Sequence, residues 1–399
     1  MLSRPERRRP RTAAGLVDRS QPHGPGRRGH VSGLATPKRI ALYLPTLTPG
    51  GAERVMINLA RGFVERGHAV DFVLAKAEGV YLDEVPPQVR LIDLNSPARL
   101  QTMRSLPRLV SYLRRERPDA LLGAMNHANI VALAARRVAG VPTRVVVSIH
   151  NNISSEKARG ANTRDKLLPW LCARSYPAAQ GIVAVSGGVA DDFSAATGMA
   201  RDQIEVVYNP VITPELTALA AQPVGHPFFA PGQPPVILGA GRLEYQKNFP
   251  SLLRAFAQLR RERPARLVIL GEGSEAASLA ALALELGVED DVWLPGHVKN
   301  PFAYMAKSAV FVLSSRYEGL PTVLIEALAV GTVVVSTDCP HGPAEIIAQT
   351  GSGRLVPLDD DAALAHGILA ALNEPARPAA NLHEFGMDYP PQRYLELLL

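Results

Sequence analysis

The sequence predicts an α/β protein built from two doubly wound parallel-sheet domains facing each other across a cleft. Three observations carry this. The chain has 399 residues, enough for two cores of ordinary domain size. From Lys38 onward short β-branched apolar runs alternate with longer amphipathic ones, the pattern of parallel strands covered by helices. A Pro-rich stretch at 223–235, after Tyr208-Asn209-Pro210, divides the alternation into two series. The boundaries read from this are a basic tail at 1–37, a first domain at 38–209 and a second beginning at 210.

The first series opens with a strand at 39–44, an unbroken apolar run too short for a helix. A glycine-rich turn, Pro49-Gly50-Gly51-Ala52-Glu53, leads into a helix through Val55, Ile57, Leu59 and Ala60. Further strands are expected at 70–74, 91–94, 120–124, 145–149, 181–185 and 204–207, each followed by loop or helix signals. Between the third and fourth, Leu100, Met103, Leu106, Leu109 and Leu113 recur at helical spacing among Arg99, Arg104, Arg108, Arg114, Arg115 and Arg117. The second series places strands at 236–239, 266–270, 292–294, 309–313, 332–336 and 354–356. Pro321 suits a first helical turn and Gly331 a C-terminal stop, which predicts a helix over 321–330. Ligands of doubly wound folds bind outside the carboxyl ends of the strands, so the cleft is the expected site.

The formal charge of +6 at first suggests a nucleic-acid partner, but its distribution argues otherwise. Residues 1–37 carry a net +6 and the remainder is neutral. That tail, rich in Arg, Pro and Gly without an apolar face, reads as disordered and inert, and its longest apolar stretch, 13–17, is too short for a secretory signal. Within the neutral body, 38–209 is net +7 and 210–399 net −7. Aromatic residues make up 6% and no aromatic/basic recognition motif occurs, so a nucleic-acid-binding protein is the disfavoured alternative. The basic amphipathic stretch 99–117 instead suits the surface of an anionic membrane. No run approaches the roughly 18 apolar residues of a membrane span. Two distant cysteines, Cys172 and Cys339, indicate neither a disulfide framework nor a zinc site and fit a reducing compartment.

Three motifs carry chemistry. Glu318 and Glu326 are separated by seven residues, and Glu326 falls inside an almost wholly apolar helix, where a carboxylate is costly unless it has a hydrogen-bonding partner. Gly239-Ala240-Gly241-Arg242, followed by Lys247-Asn248, sets two cations five residues apart at a strand's carboxyl end, where they would neutralise a diphosphate. The Gly50-Gly51 turn presents free amides and the positive end of a helix dipole, a ready anion site. No G-x-x-x-x-G-K-[ST] loop occurs, and no Asp-x-Asp stands at a strand end, so no metal is expected.

Together with Leu270-Gly271-Glu272-Gly273, Pro295-Gly296-His297 and Gly331-Thr332-Val333-Val334, these motifs resemble the retaining glycosyltransferases of family 4 over essentially all of 38–399. Ser336 to Ile346 resembles the members that build bacterial capsules, O-antigens and lipid-linked oligosaccharides. The resemblance implies the GT-B fold of two Rossmann-like domains, the second spanning 210–380. It also implies a last helix within 381–399 that crosses back to the first domain, in a chain that reads as complete. The implied activity moves a sugar from a UDP- or GDP-sugar to a glycan or a polyprenyl-diphosphate-linked glycan in cell-envelope polysaccharide synthesis. The expected location is the cytoplasm, at the inner face of the membrane, and no cofactor is implied. The resemblance assigns Arg242 and Lys247 to the diphosphate, Glu318 to sugar hydroxyls, Glu326 to the ribose and His150 to the neighbourhood of the transferred sugar. Gly50, Gly51, Gly241, Leu320, Thr322 and Val323 would complete the phosphate cradle, the loop of His297 and Val298 would contact the base, and Glu272 would lie nearby. Where many members read Glu-Gly-Phe-Gly, this chain has Glu318-Gly319-Leu320-Pro321 with the spacing to Glu326 intact. A sugar-nucleotide epimerase of the same fold is the alternative within the enzymes, disfavoured by the Arg/Lys pair and the two glutamates.

Overall fold

The apolar runs become two fully parallel sheets, described by a computed structural model over residues 36–48, 50–97, 101–154, 163–374 and 379–399. The first holds β1 (Arg39–Leu44), β2 (Ala69–Leu74), β3 (Arg90–Asp93), β4 (Ala120–Ala124), β5 (Arg144–Ile149), β6 (Gly181–Ala184) and β7 (Glu205–Val206), in the order β3-β2-β1-β4-β5-β6-β7. The second holds β8 (Val236–Ala240), β9 (Arg266–Leu270), β10 (Val292–Gly296), β11 (Val310–Leu313), β12 (Val333–Thr337) and β13 (Arg354–Val356), in the order β10-β9-β8-β11-β12-β13. Both orders reverse direction at their first strand, and each reversal opens a crevice at the carboxyl ends of the strands. Every strand expected from the sequence is present, displaced by a residue or two at its ends. The expectations for residues 1–35 and for Arg99 and Leu100 lie outside the described residues.

These strands carry apolar residues on both faces because both faces are covered. One apolar cluster runs from the helices behind the first sheet (Leu109, Val131, Leu168, Phe193) to those facing it on the second (Leu324, Ile325, Phe385), so the two halves share a core. The opposite face of the first sheet packs Ile40, Leu42 and Val146 against Val55, Leu59 and Phe63 of the helix Gly51–Glu65. That face is completed by Tyr394, Leu395 and Leu398 of the last helix, Tyr389–Leu398. Each such side chain contributes roughly 1.5–3 kcal/mol by leaving water.

The helix expected at 321–330 spans Thr322–Ala329, with Pro321 as its N-cap. The basic stretch forms two helices, Gln101–Arg104 and Leu106–Glu116. Leu109 and Leu113 are buried in the protein's own core. Two of its arginines hold neighbouring backbone: Arg108 donates to the Leu94 and Asn95 carbonyls, Arg114 to those of Val138 and Ala139. Arg104, Arg115 and Arg117 remain exposed.

Candidate active site

The loop between β11 and the helix Thr322–Ala329 carries Glu318 to the centre of the cleft. Lys247, in a single helical turn after β8, donates from Nζ to Glu318 Oε1 at 2.6 Å, and Ser315 Oγ donates to the same oxygen at 2.6 Å. Both charged side chains are largely buried, 14% exposed for Lys247 and 7% for Glu318. Glu318 Oε2 has no partner among the described residues, so one oxygen is anchored and the other is left to accept from a hydroxyl. The turn that carries Lys247 is itself fastened to this loop. Ser314 Oγ donates to the Lys247 carbonyl at 2.8 Å and Gln246 Nε2 to the Tyr317 carbonyl at 3.0 Å.

Glu326 is 3% exposed and its carboxylate makes no hydrogen bond to a described residue. Its nearest cation is Arg54 of the opposite half, 3.8 Å from Oε1, lying over the Tyr81 ring. Burial raises the Glu326 carboxyl above the ordinary range, with Arg54 opposing the shift. A buried carboxylate without a hydrogen-bond donor is an acceptor for a pair of ligand hydroxyls. The same helix begins without a capping side chain, which leaves the first-turn amides, those of Thr322 and Val323 among them, open to an anion.

The helix Gly51–Glu65 also has no capping side chain from Gly50, but its N-terminus is not empty. Glu53 folds back over Gly50, so that a Cβ there would stand 2.2 Å from Glu53 Oε2. Burial raises the Glu53 carboxyl, while a hydrogen bond from its own backbone and the charge of Arg242 across the cleft lower it. The Glu53 carboxylate thus lies beside the turn where Gly50 and Gly51 were expected to meet an anion.

The remaining expected residues cluster around these. Arg242 is exposed to the cleft directly after β8. Gly241, Glu272, His297 and Val298 follow β8, β9 and β10, three adjacent strands whose ends are laced by Gly241 N to Leu270 O at 3.0 Å and Gly271 N to Gly296 O at 2.8 Å. Glycine is required at 271, where φ is +134° and a Cβ would lie 1.9 Å from the Gly241 carbonyl oxygen. Glu272 and His297 are exposed, Val298 half-buried and Leu320 buried. His150 ends β5, buried, with Nε2 3.1 Å from Ser148 Oγ, and burial pushes its pKa down to about 4. Among the described residues no three His, Cys, Asp or Glu side chains converge as metal ligands.

Three cross-cleft contacts were not visible in the motifs. Asn152 Nδ2 donates to the Glu318 carbonyl at 2.7 Å and Ser186 Oγ to that of Gly319 at 2.9 Å. Glu345 accepts from the amides of Gly187 and Gly188 at 2.8 and 3.4 Å, opening the helix Gly187–Thr197, and from Tyr208 at 2.9 Å. Gly319 abuts the opposite half so closely that a Cβ would lie 2.3 Å from the His150 carbonyl oxygen. The Glu318 loop is thus held against the first sheet from both sides.

Family models match on either side of the cleft: Glycosyltransferase Family 4 over residues 49–215 and Glycosyl transferases group 1 over 227–386. The chain belongs to the family 4 glycosyltransferases. A Campylobacter jejuni relative, the N-acetylgalactosamine-N,N'-diacetylbacillosaminyl-diphospho-undecaprenol 4-alpha-N-acetylgalactosaminyltransferase, is 29% identical over 84% of this chain and 91% of its own. The lipopolysaccharide 1,6-galactosyltransferase of Escherichia coli is 26% identical over 69% of this chain and 70% of its own. Anabaena HepE, solved in complex with UDP, superposes with a TM-score of 0.71 at 21% identity, covering 90% of this glycosyltransferase and 99% of HepE. The outer core galactosyltransferase WaaB superposes with a TM-score of 0.67 at 20% identity over 90% and 98% of the two chains. The GT-B architecture of the glycosyltransferase therefore stands on its own topology and on these folds.

Proposed function

We propose that this glycosyltransferase moves a sugar from a UDP- or GDP-sugar, with retention and without a metal ion, to a glycan carried on a polyprenyl diphosphate during cell-envelope polysaccharide synthesis. The observation that carries the reading is the state of the two glutamates. Among the described residues the buried Glu326 carboxylate has no hydrogen-bond donor, and Glu318 has one oxygen fixed by Lys247 and Ser315 and the other unpartnered. These are two acceptors waiting for hydroxyls, flanked by cations and an uncapped helix N-terminus.

The roles follow from charge. The ribose hydroxyls donate to Glu326 and a sugar hydroxyl to Glu318. Arg242, Lys247 and the amides of Thr322 and Val323 face the diphosphate, whose negative charge grows as the bond to the anomeric carbon breaks. The acceptor hydroxyl forms its bond to that carbon on the face the diphosphate leaves. Its proton passes to the departing phosphate oxygen, so configuration is kept without a protein nucleophile. The acceptor class rests on the undecaprenol-linked substrate in the name of the Campylobacter relative. Among the described residues no helix is long and apolar enough to cross a membrane, and the exposed Arg104, Arg115 and Arg117 support contact with an anionic bilayer surface.

A thermal-shift screen of nucleotide sugars, followed by transfer to polyprenyl-diphosphate-linked acceptors in EDTA with the product anomer assigned by NMR, tests this. One stabilising donor and an α-linked product from an α-donor are expected. An inverted product or an absolute requirement for a divalent ion would overturn the mechanism, and no transfer from any donor would overturn the function.

A further inference from the structure

His150, Ser148 and Tyr394 form a closed hydrogen-bond chain whose direction can be worked out from proton counting. Ser148 and His150 are two positions apart along β5 and its end, so both side chains project from the same face of the sheet, the one that also carries Val146. The last helix, Tyr389–Leu398, covers that face and delivers Tyr394 OH to 2.9 Å from Ser148 Oγ, which in turn lies 3.1 Å from His150 Nε2. Tyr394 and Ser148 are 0% exposed and His150 8%, so water does not complete the chain at the tyrosine end. The strand end is fixed independently, because Asn129 Nδ2 donates to the Ser148 carbonyl at 2.9 Å.

We propose that the Tyr394–Ser148–His150 chain holds the imidazole with its proton on Nδ1, making Tyr394 and Ser148 positioning residues for the transfer site. The inference rests on reading His150 as a group of that site. The Tyr394 hydroxyl has no hydrogen-bond partner among the described residues other than Ser148. If Nε2 carried the proton and passed it toward Ser148, Ser148 would donate to Tyr394 and the tyrosine proton would be buried without an acceptor. If Ser148 accepted from both neighbours, its own hydroxyl proton would be the orphan. Either arrangement leaves a buried donor unsatisfied, a costly state. Only one direction satisfies all three groups: Tyr394 donates to Ser148, Ser148 donates to Nε2, and Nδ1 keeps the proton. Burial keeps the ring neutral, which the chain requires. Nδ1 makes no hydrogen bond to a described residue, and the His150 carbonyl lies against Gly319 at the sugar loop. His150 therefore offers the cleft a hydrogen-bond donor to an oxygen of the sugar or the diphosphate, and it is not a base toward the acceptor hydroxyl.

The test is a long-range proton–nitrogen NMR correlation on full-length protein labelled with 15N-histidine, with His150 assigned through His150→Gln. The wild type is expected to show a pyrrole-type Nδ1 and a pyridine-type Nε2. Ser148→Ala removes the only donor to Nε2 among the described residues. It should give mixed tautomers and lower kcat about tenfold, the loss of one hydrogen bond's bias, with donor KM within twofold. Tyr394→Phe keeps the ring in the core and should leave the proton on Nδ1, because Nε2 remains the acceptor for the Ser148 hydroxyl. A protonated Nε2 in the wild type overturns the proposal even if no variant folds, as does a Ser148→Ala protein with unchanged tautomer and kcat. A protonated Nδ1 in a protein that transfers no sugar would uphold the chain and reject the function assigned above.

Discussion

Replacing Lys247 by Met separates what the Lys247–Glu318 pair does for the fold from what it does for the reaction. At 2.6 Å and an effective dielectric of about 20, the gross attraction of the pair is roughly 6 kcal/mol, and desolvation of two buried charges offsets most of it. Methionine fills nearly the same space, so the main consequence of Lys247→Met is a Glu318 carboxylate buried with only Ser315 as donor. Breaking one side of a buried pair costs about 3–5 kcal/mol. Urea unfolding followed by circular dichroism should show a midpoint lowered by about that free energy. Lys247→Met/Glu318→Gln, which leaves no unpaired charge, should regain most of it. Donor turnover should behave differently. Removing a preorganised cation from the leaving group costs about 10²–10³ in kcat, and the double variant should regain none of this. The reasoning is refuted if the single variant turns over donor within threefold of wild type, or if the double variant is no more stable than the single one.

Other consequences are as direct. Gly319→Ala places a methyl group 2.3 Å from the His150 carbonyl oxygen, a backbone atom with no freedom to retreat. Loss of transfer with a lower melting temperature is expected, and an unchanged kcat would show that the sugar loop does not rest on β5. Arg54→Met removes the one cation paired with Glu326 among the described residues. It should raise the Glu326 carboxyl further, as infrared difference spectra of Glu326→Gln against its parent would read, and weaken donor binding at neutral pH. The His150 pKa, about 4 when folded against about 6.5 unfolded, makes the unfolded chain bind the extra proton between those values. Stability is therefore greatest above pH 6.5 and falls by about 3 kcal/mol as pH drops toward 4. His150→Gln should remove that part of the pH dependence in denaturation midpoints, and an identical slope in both proteins would contradict it.

The strands and the two-series architecture were legible because a parallel strand buried on both faces must be apolar throughout, as Ile40 to Leu44 and Val310 to Leu313 are. Arg242, Lys247, Glu318 and Glu326 were legible for a different reason: charged residues at strand ends or inside an apolar helix violate local economy and so point to a ligand. Contacts made by ordinary residues over long sequence separations were hidden. Arg54 stands next to the Gly50–Glu53 turn, yet nothing in its surroundings says it reaches Glu326. Ser148 and Tyr394 are 246 positions apart, and Glu345 reads as an unremarked helical glutamate until it meets the amides of Gly187 and Gly188. At the Gly50-Gly51 turn the rule for free helix amides does not foresee that Glu53, three residues on, folds back over Gly50. Likewise the basic stretch 99–117 read as a membrane-facing surface, and nothing in its spacing showed that Arg108 and Arg114 hold the carbonyls of neighbouring segments.

The central claim is that the cleft recognises a nucleoside diphosphate through cations from the second sheet and a ribose through Glu326. Calorimetric titration of UDP and GDP, with the matching nucleosides, against wild type, Arg242→Ala/Lys247→Met and Glu326→Gln tests it most directly. One diphosphate is expected to bind the wild type, at least a hundredfold more weakly the cation variant, and more weakly the Glu326 variant, with the nucleoside losing affinity only in the last. Equal diphosphate affinity in wild type and the cation variant would contradict the account.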